Sequence, residues 1–233
     1  MIPHLSIHGP RTLVYSNATV AVKMDGNSLV YGYRNPGPGN TVAEQIVSQV
    51  DSPLYGSGIT VTNLGVNSQT WQTMLNTLPT FTAGKLNIVI AWEGSNSIKD
   101  GESGVDAVGL AEDYISAVKA VNPAFRIVIM NCLPRQGSAA VWGSVNALNA
   151  QIDAYNALLK SSYREIGADL LCDLRPPGGV FDMGGDYSDG NFAACDTRAG
   201  ATVWLEATGR IHLTDAGDTV IAGLLAATLR HVR

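Results

Sequence analysis

Apolar and polar positions fall into two kinds of segment that alternate along the chain. Thr19–Met24, Ile59–Leu64, Leu86–Trp92, Arg126–Met130 and Asp169–Leu174 are short and dense in β-branched and apolar residues. Their length and composition predict strands, buried where the run is continuous and half-exposed where it alternates, as in Ile59–Leu64. Between them, Val42–Val50, Thr70–Leu75, Gly104–Val121 and Val145–Gly167 are read as helices, the first with its apolar residues at clear helical spacing. A closing helix is expected over Thr219–Leu229, with Asp215 and Asp218 near its N-terminus, where negative charge is favoured. Alternating strands and helices with continuous apolar strands imply a mostly parallel sheet covered on both faces. Right-handed crossovers make that a three-layer α/β/α sandwich around five strands.

A short edge strand is expected at Thr12–Tyr15, inside an irregular lead-in. No repeat or linker divides residues 1–233, so the pattern reads as one domain. One stretch breaks the alternation. Arg175–Thr208 is rich in Gly, Asp and small residues and too long for an ordinary connection, which predicts a functional loop or insertion over the strand ends.

Composition narrows the picture mainly by exclusion. With 45% hydrophobic and 15% charged residues the chain is globular rather than disordered. A net charge of −5 gives no electrostatic reason to expect nucleic acid or an anionic membrane as partner. No run approaches the roughly 20 apolar residues of a membrane span. Met1–Pro10 has neither a basic start nor an apolar core, so it does not read as a secretory signal, and the compartment stays open. Cys132, Cys172 and Cys195 cannot all pair, and the first two sit in apolar runs as small hydrophobes. His4, His8 and His231 form no metal-ligand spacing, and no calcium loop, P-loop or dinucleotide fingerprint is present. No metal or cofactor is expected.

The candidate chemistry lies where strands end. After Thr19–Met24 comes Asp25-Gly26-Asn27-Ser28, which places Ser28 at the carboxyl end of a strand and the start of a helix. Ligands of open α/β sheets bind at that edge. A serine there is either a helix cap or a nucleophile. Neighbouring strand ends carry Gly65 with Asn67 and Gly94 with Asn96, and the C-terminal turn carries His212. Acyl transfer needs a hydroxyl nucleophile, a base for its proton, and donors aimed at an oxyanion, and these residues supply that set.

In these blocks the chain resembles the SGNH (GDSL-type) hydrolase family, named for a Ser, Gly, Asn and His in four separated blocks. Gly26-Asn27-Ser28-Leu29 matches the first, with Asn where Asp is usual. Asn63-Leu64-Gly65-Val66-Asn67 resembles the second; Gly94-Ser95-Asn96-Ser97 the third, with Ser97 where Asp is common; and Ile211-His212-Leu213-Thr214-Asp215-Ala216-Gly217 the last. Pro134 and the helical stretch Ile152–Leu159 also resemble the family. The resemblance implies a flavodoxin-like fold and a serine esterase or acylhydrolase without cofactor. It makes Ser28 the nucleophile, His212 the general base, and Ser28 N–H, Gly65 N–H and the Asn96 amide the oxyanion hole. A small acyl group, acetyl first, on a carbohydrate or similar substrate is the expected ester. The alternatives are a weak or inactive carbohydrate-binding relative, and a lipase or thioesterase for longer acyl chains.

One position departs from the family. Its usual Asp, three residues before the histidine, is Gly209 here. The site then works as a Ser–His dyad, or borrows an acid such as Glu206, Asp182, Asp186, Asp189 or Asp196, or only binds. Elsewhere ordinary roles are expected: Asp25 stabilises its turn, Glu93 is solvated, and Trp71, Trp92 and Trp142 are core. Trp204, inside the insertion, is the one tryptophan placed to meet a substrate.

Overall fold

The computed structural model describes residues 19–33, 41–50, 58–137, 139–188, 191–192, 205 and 210–232. The expected strand at Thr12–Tyr15 lies outside them, as do Cys195, Trp204, Glu206, Gly209, Asp189 and Asp196. Five strands form one sheet: β1 (Val20–Gly26), β2 (Ile59–Asn63), β3 (Leu86–Trp92), β4 (Arg126–Met130) and β5 (Leu170–Cys172). Their order is β2-β1-β3-β4-β5, and every neighbouring pair is parallel. The expected α/β/α sandwich with a five-stranded sheet is therefore the architecture observed.

The helices are α1 (Ser28–Tyr31), α2 (Val42–Val50), α3 (Trp71–Met74), α4 (Ser95–Lys99), α5 (Gly104–Val121), α6 (Val145–Ser162) and α7 (Asp215–Leu229). Strand alternation sorts side chains between two cores. Val20, Val22, Met24, Ile88, Ile90, Trp92, Val128 and Met130 pack on one face against α2 and α7. Val89, Ala91, Ile127 and Ile129 pack on the other against α3, α5 and α6. This is why β3 and β4 are apolar at consecutive positions, while the edge strand β2 is largely exposed.

Side-chain caps set the helix starts. Thr41 and Glu44 bond each other's backbone N–H, and Ser103, Ser144 and Thr214 cap α5, α6 and α7. The closing helix begins at Asp215 rather than at the expected Thr219. Thr214 Oγ1 accepts the Gly217 N–H at 3.2 Å, which brings Asp215 and Asp218 into the first turn. Helix α6 stops at Ser162, before the expected Gly167, and the chain leaves through turns ending at Gly167 with φ 90°.

The stretch expected to be a loop over the strand ends is in part core. Phe181, Met183, Tyr187 and Phe192 are buried on the α2/α7 face together with Leu213. Arg175 holds the segment down, bonding Asp153 on α6 (2.8 Å), the Tyr187 hydroxyl (2.8 Å) and the Phe181 carbonyl (3.2 Å). Among the described residues no helix is long and apolar enough to cross a membrane.

Candidate active site

Strand β1 ends at Gly26, where an added Cβ would stand 2.2 Å from the Trp92 carbonyl oxygen. The chain turns there, and Asn27, not Ser28, caps the short helix: its Oδ1 accepts the Leu29 N–H at 2.9 Å. Ser28 is thereby left uncommitted as a cap. It is buried to 7% exposure, and its Oγ lies 3.1 Å from His212 Nε2. Which of the two carries the proton follows from the imidazole tautomer. His212 comes from 184 positions away, beside the Leu205–Leu213 bridge and just before α7. Its ring packs on Tyr33, centroids 4.9 Å apart.

The other two blocks arrive on the strands flanking β1. At the end of β2, Asn63 donates to the Val30 carbonyl (2.8 Å) and accepts the Gly65 N–H (2.9 Å). Gly65 lies so close to α1 that a Cβ would meet Tyr31 N at 2.4 Å. Only glycine fits there, but its N–H is already engaged by Asn63. At the end of β3, Asn96 stands in the first turn of α4, with Nδ2 donating to the Gln69 carbonyl (3.0 Å) and Oδ1 accepting from Arg135 Nη1 (3.3 Å). Ser28, Asn67, Asn96, Lys99, Arg135 and His212 share the lining of a recess of about 220 Å³. A second notch, of about 10 Å³, lies against Ser28 and His212 between Leu29, Tyr33, Leu213 and Asp218.

Beneath the site two carboxylates depart from the roles expected of them. Glu93 is not solvated; it is 1% exposed. Its Oε1 accepts Ser97 N–H (2.9 Å), Asn96 N–H (3.2 Å) and Ser97 Oγ–H (3.2 Å), and its Oε2 accepts the Asn27 side-chain amide. One carboxylate thus ties the turn carrying Ser28 to the turn carrying Asn96. It also accounts for Asn at position 27, because an acid there would face Glu93 with no hydrogen to donate. Burial pushes the Glu93 carboxyl up, against those donors. Asp25 is not a turn cap: it is 1% exposed and accepts the Tyr114 hydroxyl at 2.6 Å. Burial raises it to about 6, with Tyr114 and the Gly26 N–H opposing.

Of the acids considered as partners for the imidazole, Asp182 and Asp186 are used within their own loop. Asp182 accepts Gly178 N–H and Gly184 N–H, and Asp186 accepts Ser188 N–H. Asp182 also lines a separate recess with Arg175 and Lys160. Asp218, read from the sequence only as a helix-terminus charge, is buried in the wall of the notch beside His212. The site residues that sequence reasoning missed are Glu93 and Arg135. The signals were present, a carboxylate directly before Gly94 and an arginine directly after Pro134, but neither shows its partners along the chain. Trp71 and Trp92 are core as expected, while Trp142 is half-buried and donates to the Ile98 carbonyl (2.7 Å). Among the described residues no His/Cys/Asp/Glu cluster could hold a metal ion.

The family model described as GDSL-like Lipase/Acylhydrolase family matches residues 26–220. No curated protein sequence matches the chain. Among solved structures, a lipolytic protein of the G-D-S-L family from Veillonella parvula superposes with a TM-score of 0.63 at 14% identity, covering 91% of this chain and 100% of its own. The native aryl esterase of M. smegmatis gives 0.60 at 15% identity, with 91% and 99% covered. The crystal structure of TesA gives 0.61 at 13% identity, with 90% and 97% covered. At such identities the likeness speaks for the fold.

Proposed function

Because this chain belongs to the GDSL-like lipase/acylhydrolase family, and so to the carboxylic ester hydrolases, we propose that it removes a small acyl group, acetyl first, from an oxygen of a carbohydrate or similar polyhydroxylated substrate. The observation that carries the chemistry is the 3.1 Å contact between Ser28 Oγ and His212 Nε2 at the mouth of a recess. His212 takes the Ser28 proton as Oγ bonds to the ester carbonyl carbon. The resulting oxyanion is met by the Ser28 N–H and the Asn96 Nδ2–H, and by Gly65 N–H once it exchanges Asn63 Oδ1 for that oxygen. Collapse breaks the bond to the alcohol, which leaves with the proton from His212. A water activated by the same imidazole then hydrolyses the acyl-serine.

The preference for a small acyl group comes from the walls. The notch beside Ser28 is about 10 Å³, room for about one water. The larger recess presents Asn67, Ser68, Asn96 and Lys99, with Arg135 engaged on Ser95 and Asn96, and has Tyr33 and Ile211 in its lining. A long acyl chain gains about 0.8 kcal/mol per methylene only against apolar surface, and in this lining chiefly Tyr33 and Ile211 offer it. Hydroxyl groups of an alcohol moiety, in contrast, find donors and acceptors there.

The test is hydrolysis of p-nitrophenyl acetate, butyrate and octanoate by the purified protein beside Ser28→Ala and His212→Ala. We expect acetate to be turned over best, and both substitutions to lower kcat by at least ~10³. Turnover that survives Ser28→Ala, or a maximum at octanoate, would overturn the corresponding half of the proposal.

A further inference from the structure

Asn96 is the one donor of the proposed oxyanion hole that hangs on a rotatable side chain. Its amide can present either end to the recess: one offers N–H to the oxyanion, the other a carbonyl oxygen that would repel it. We infer that Arg135 is a positioning residue that sets this choice, an inference that rests on the oxyanion-hole reading above.

The argument is one of donors and acceptors. Arg135 Nη1 lies 3.3 Å from the side-chain amide of Asn96. A guanidinium has no acceptor, so the atom facing it must be Oδ1. On the other side stands the Gln69 carbonyl, 3.0 Å away, which has no hydrogen, so the atom facing it must be Nδ2. Two independent neighbours impose the same orientation. One Nδ2 hydrogen is engaged by Gln69, and the second remains for the recess that Asn96 shares with Ser28 and His212.

Arg135 is itself built to hold still. Its backbone N–H donates to Asn149 Oδ1 (3.0 Å) and its carbonyl accepts Asn149 Nδ2 (2.7 Å), so one buried side chain on α6 clamps both sides of the peptide. Nη1 also donates to the Ser95 carbonyl (3.0 Å), and the residue is 5% exposed. Among the described residues, Nε meets no hydrogen-bond acceptor. The guanidinium is therefore aimed at the Ser95 and Asn96 oxygens rather than forked onto a carboxylate. Its charge stands at the Oδ1 end of the Asn96 amide, where it strengthens the amide dipole that the oxyanion meets at Nδ2.

The experiment is a double-mutant cycle on kcat for p-nitrophenyl acetate with Arg135→Met and Asn96→Ala, folding being checked by thermal melts. Losing an oxyanion donor costs ~10²–10³ in kcat. Arg135→Met should cost about 10–100-fold of that, with KM changed less than about threefold, and Arg135→Lys should recover part of it. In the Asn96→Ala background the same substitution should cost less than about twofold. Equal costs in both backgrounds, or an Arg135→Met variant with wild-type kcat, would overturn the inference while leaving the oxyanion hole intact. Full kcat in Asn96→Ala alone is the distinct result that overturns the hole, and the inference with it. If Arg135→Met does not fold, the cycle is read with Arg135→Lys against the same criteria.

Discussion

Restoring the family's usual acid at position 27 should damage this protein, because Glu93 has taken that charge. Asn27 is 2% exposed; its Nδ2 donates to Glu93 Oε2 and to Ser95 Oγ (3.2 Å), while its Oδ1 caps α1. Asn27→Asp keeps the cap but deletes both donated bonds and sets two buried carboxylates in contact. At about 3 Å and an effective dielectric of about 20, two like charges repel by roughly 5 kcal/mol. Protonation of one carboxyl relieves this, so the net cost at pH 8 should be about 3–5 kcal/mol, or roughly 6–20 °C in Tm for a chain of this size. The sign of the pH dependence follows. The shared proton is held more tightly in the folded variant than in the unfolded chain, so the folded-state pKa is raised. The variant therefore approaches wild-type stability below the ordinary carboxyl range and loses it as pH rises through the raised value. Urea denaturation at pH 5 and pH 8 reads the effect. Adding Glu93→Gln should recover part of the loss, since a glutamine amide can donate to Asp at 27 while its oxygen still accepts from Ser97. A variant as stable as wild type at pH 8, or a deficit that does not change with pH, would refute the reasoning.

Two further outcomes follow from burial. Asp25, raised to about 6 by its surroundings, contributes stability that is complete below about 3.8 and is lost as pH rises through about 6, a swing of about 2–3 kcal/mol. Asp25→Asn should therefore gain on wild type across pH 4–7.5 in urea titrations; a pH-independent difference would exclude Asp25 as the titrating group. Phe181→Ala should lower stability in urea titrations by about 3–5 kcal/mol, as a core truncation does, whereas truncating a surface-loop residue would change it by less than about 0.5 kcal/mol.

Where residues act through neighbours on their own element, the sequence was enough to place them. Strand alternation, helical spacing and the strand-end blocks put Ser28, Gly65 and Asn96 at one edge of the sheet, because parallel β/α units deliver every strand end to the same side, while His212, in the turn before α7, was placed by the resemblance of its block alone. What could not be read was decided by partners far along the chain. Glu93 looks like an exposed acid until Asn27, 66 positions earlier, is brought to it. Arg135 looks like a loop cation until Asn149 and Asn96 close around it. The glycine- and proline-rich composition around Pro176–Gly185 hid the burial of Phe181 and Met183, since composition reports the average of a segment and not which of its side chains turn inward. The early start of α7 had a local sign in Thr214, outweighed in reading by the charge of Asp215 and Asp218.

The distance in sequence between Ser28 and His212 has a consequence for the order in which the proposed site assembles. Ser28, its cap Asn27 and the Asn96 amide all belong to the first 96 residues, just after β1 and after β3, which pairs directly with it. His212 arrives only with Leu213 bridged to Leu205 and α7 laid against α2, 184 positions after Ser28. A growing polypeptide can therefore complete the five strands and hold Ser28 in its turn before His212 has reached it. On the proposed mechanism, turnover begins only when the segment carrying His212 docks, which makes it a report that folding has reached α7.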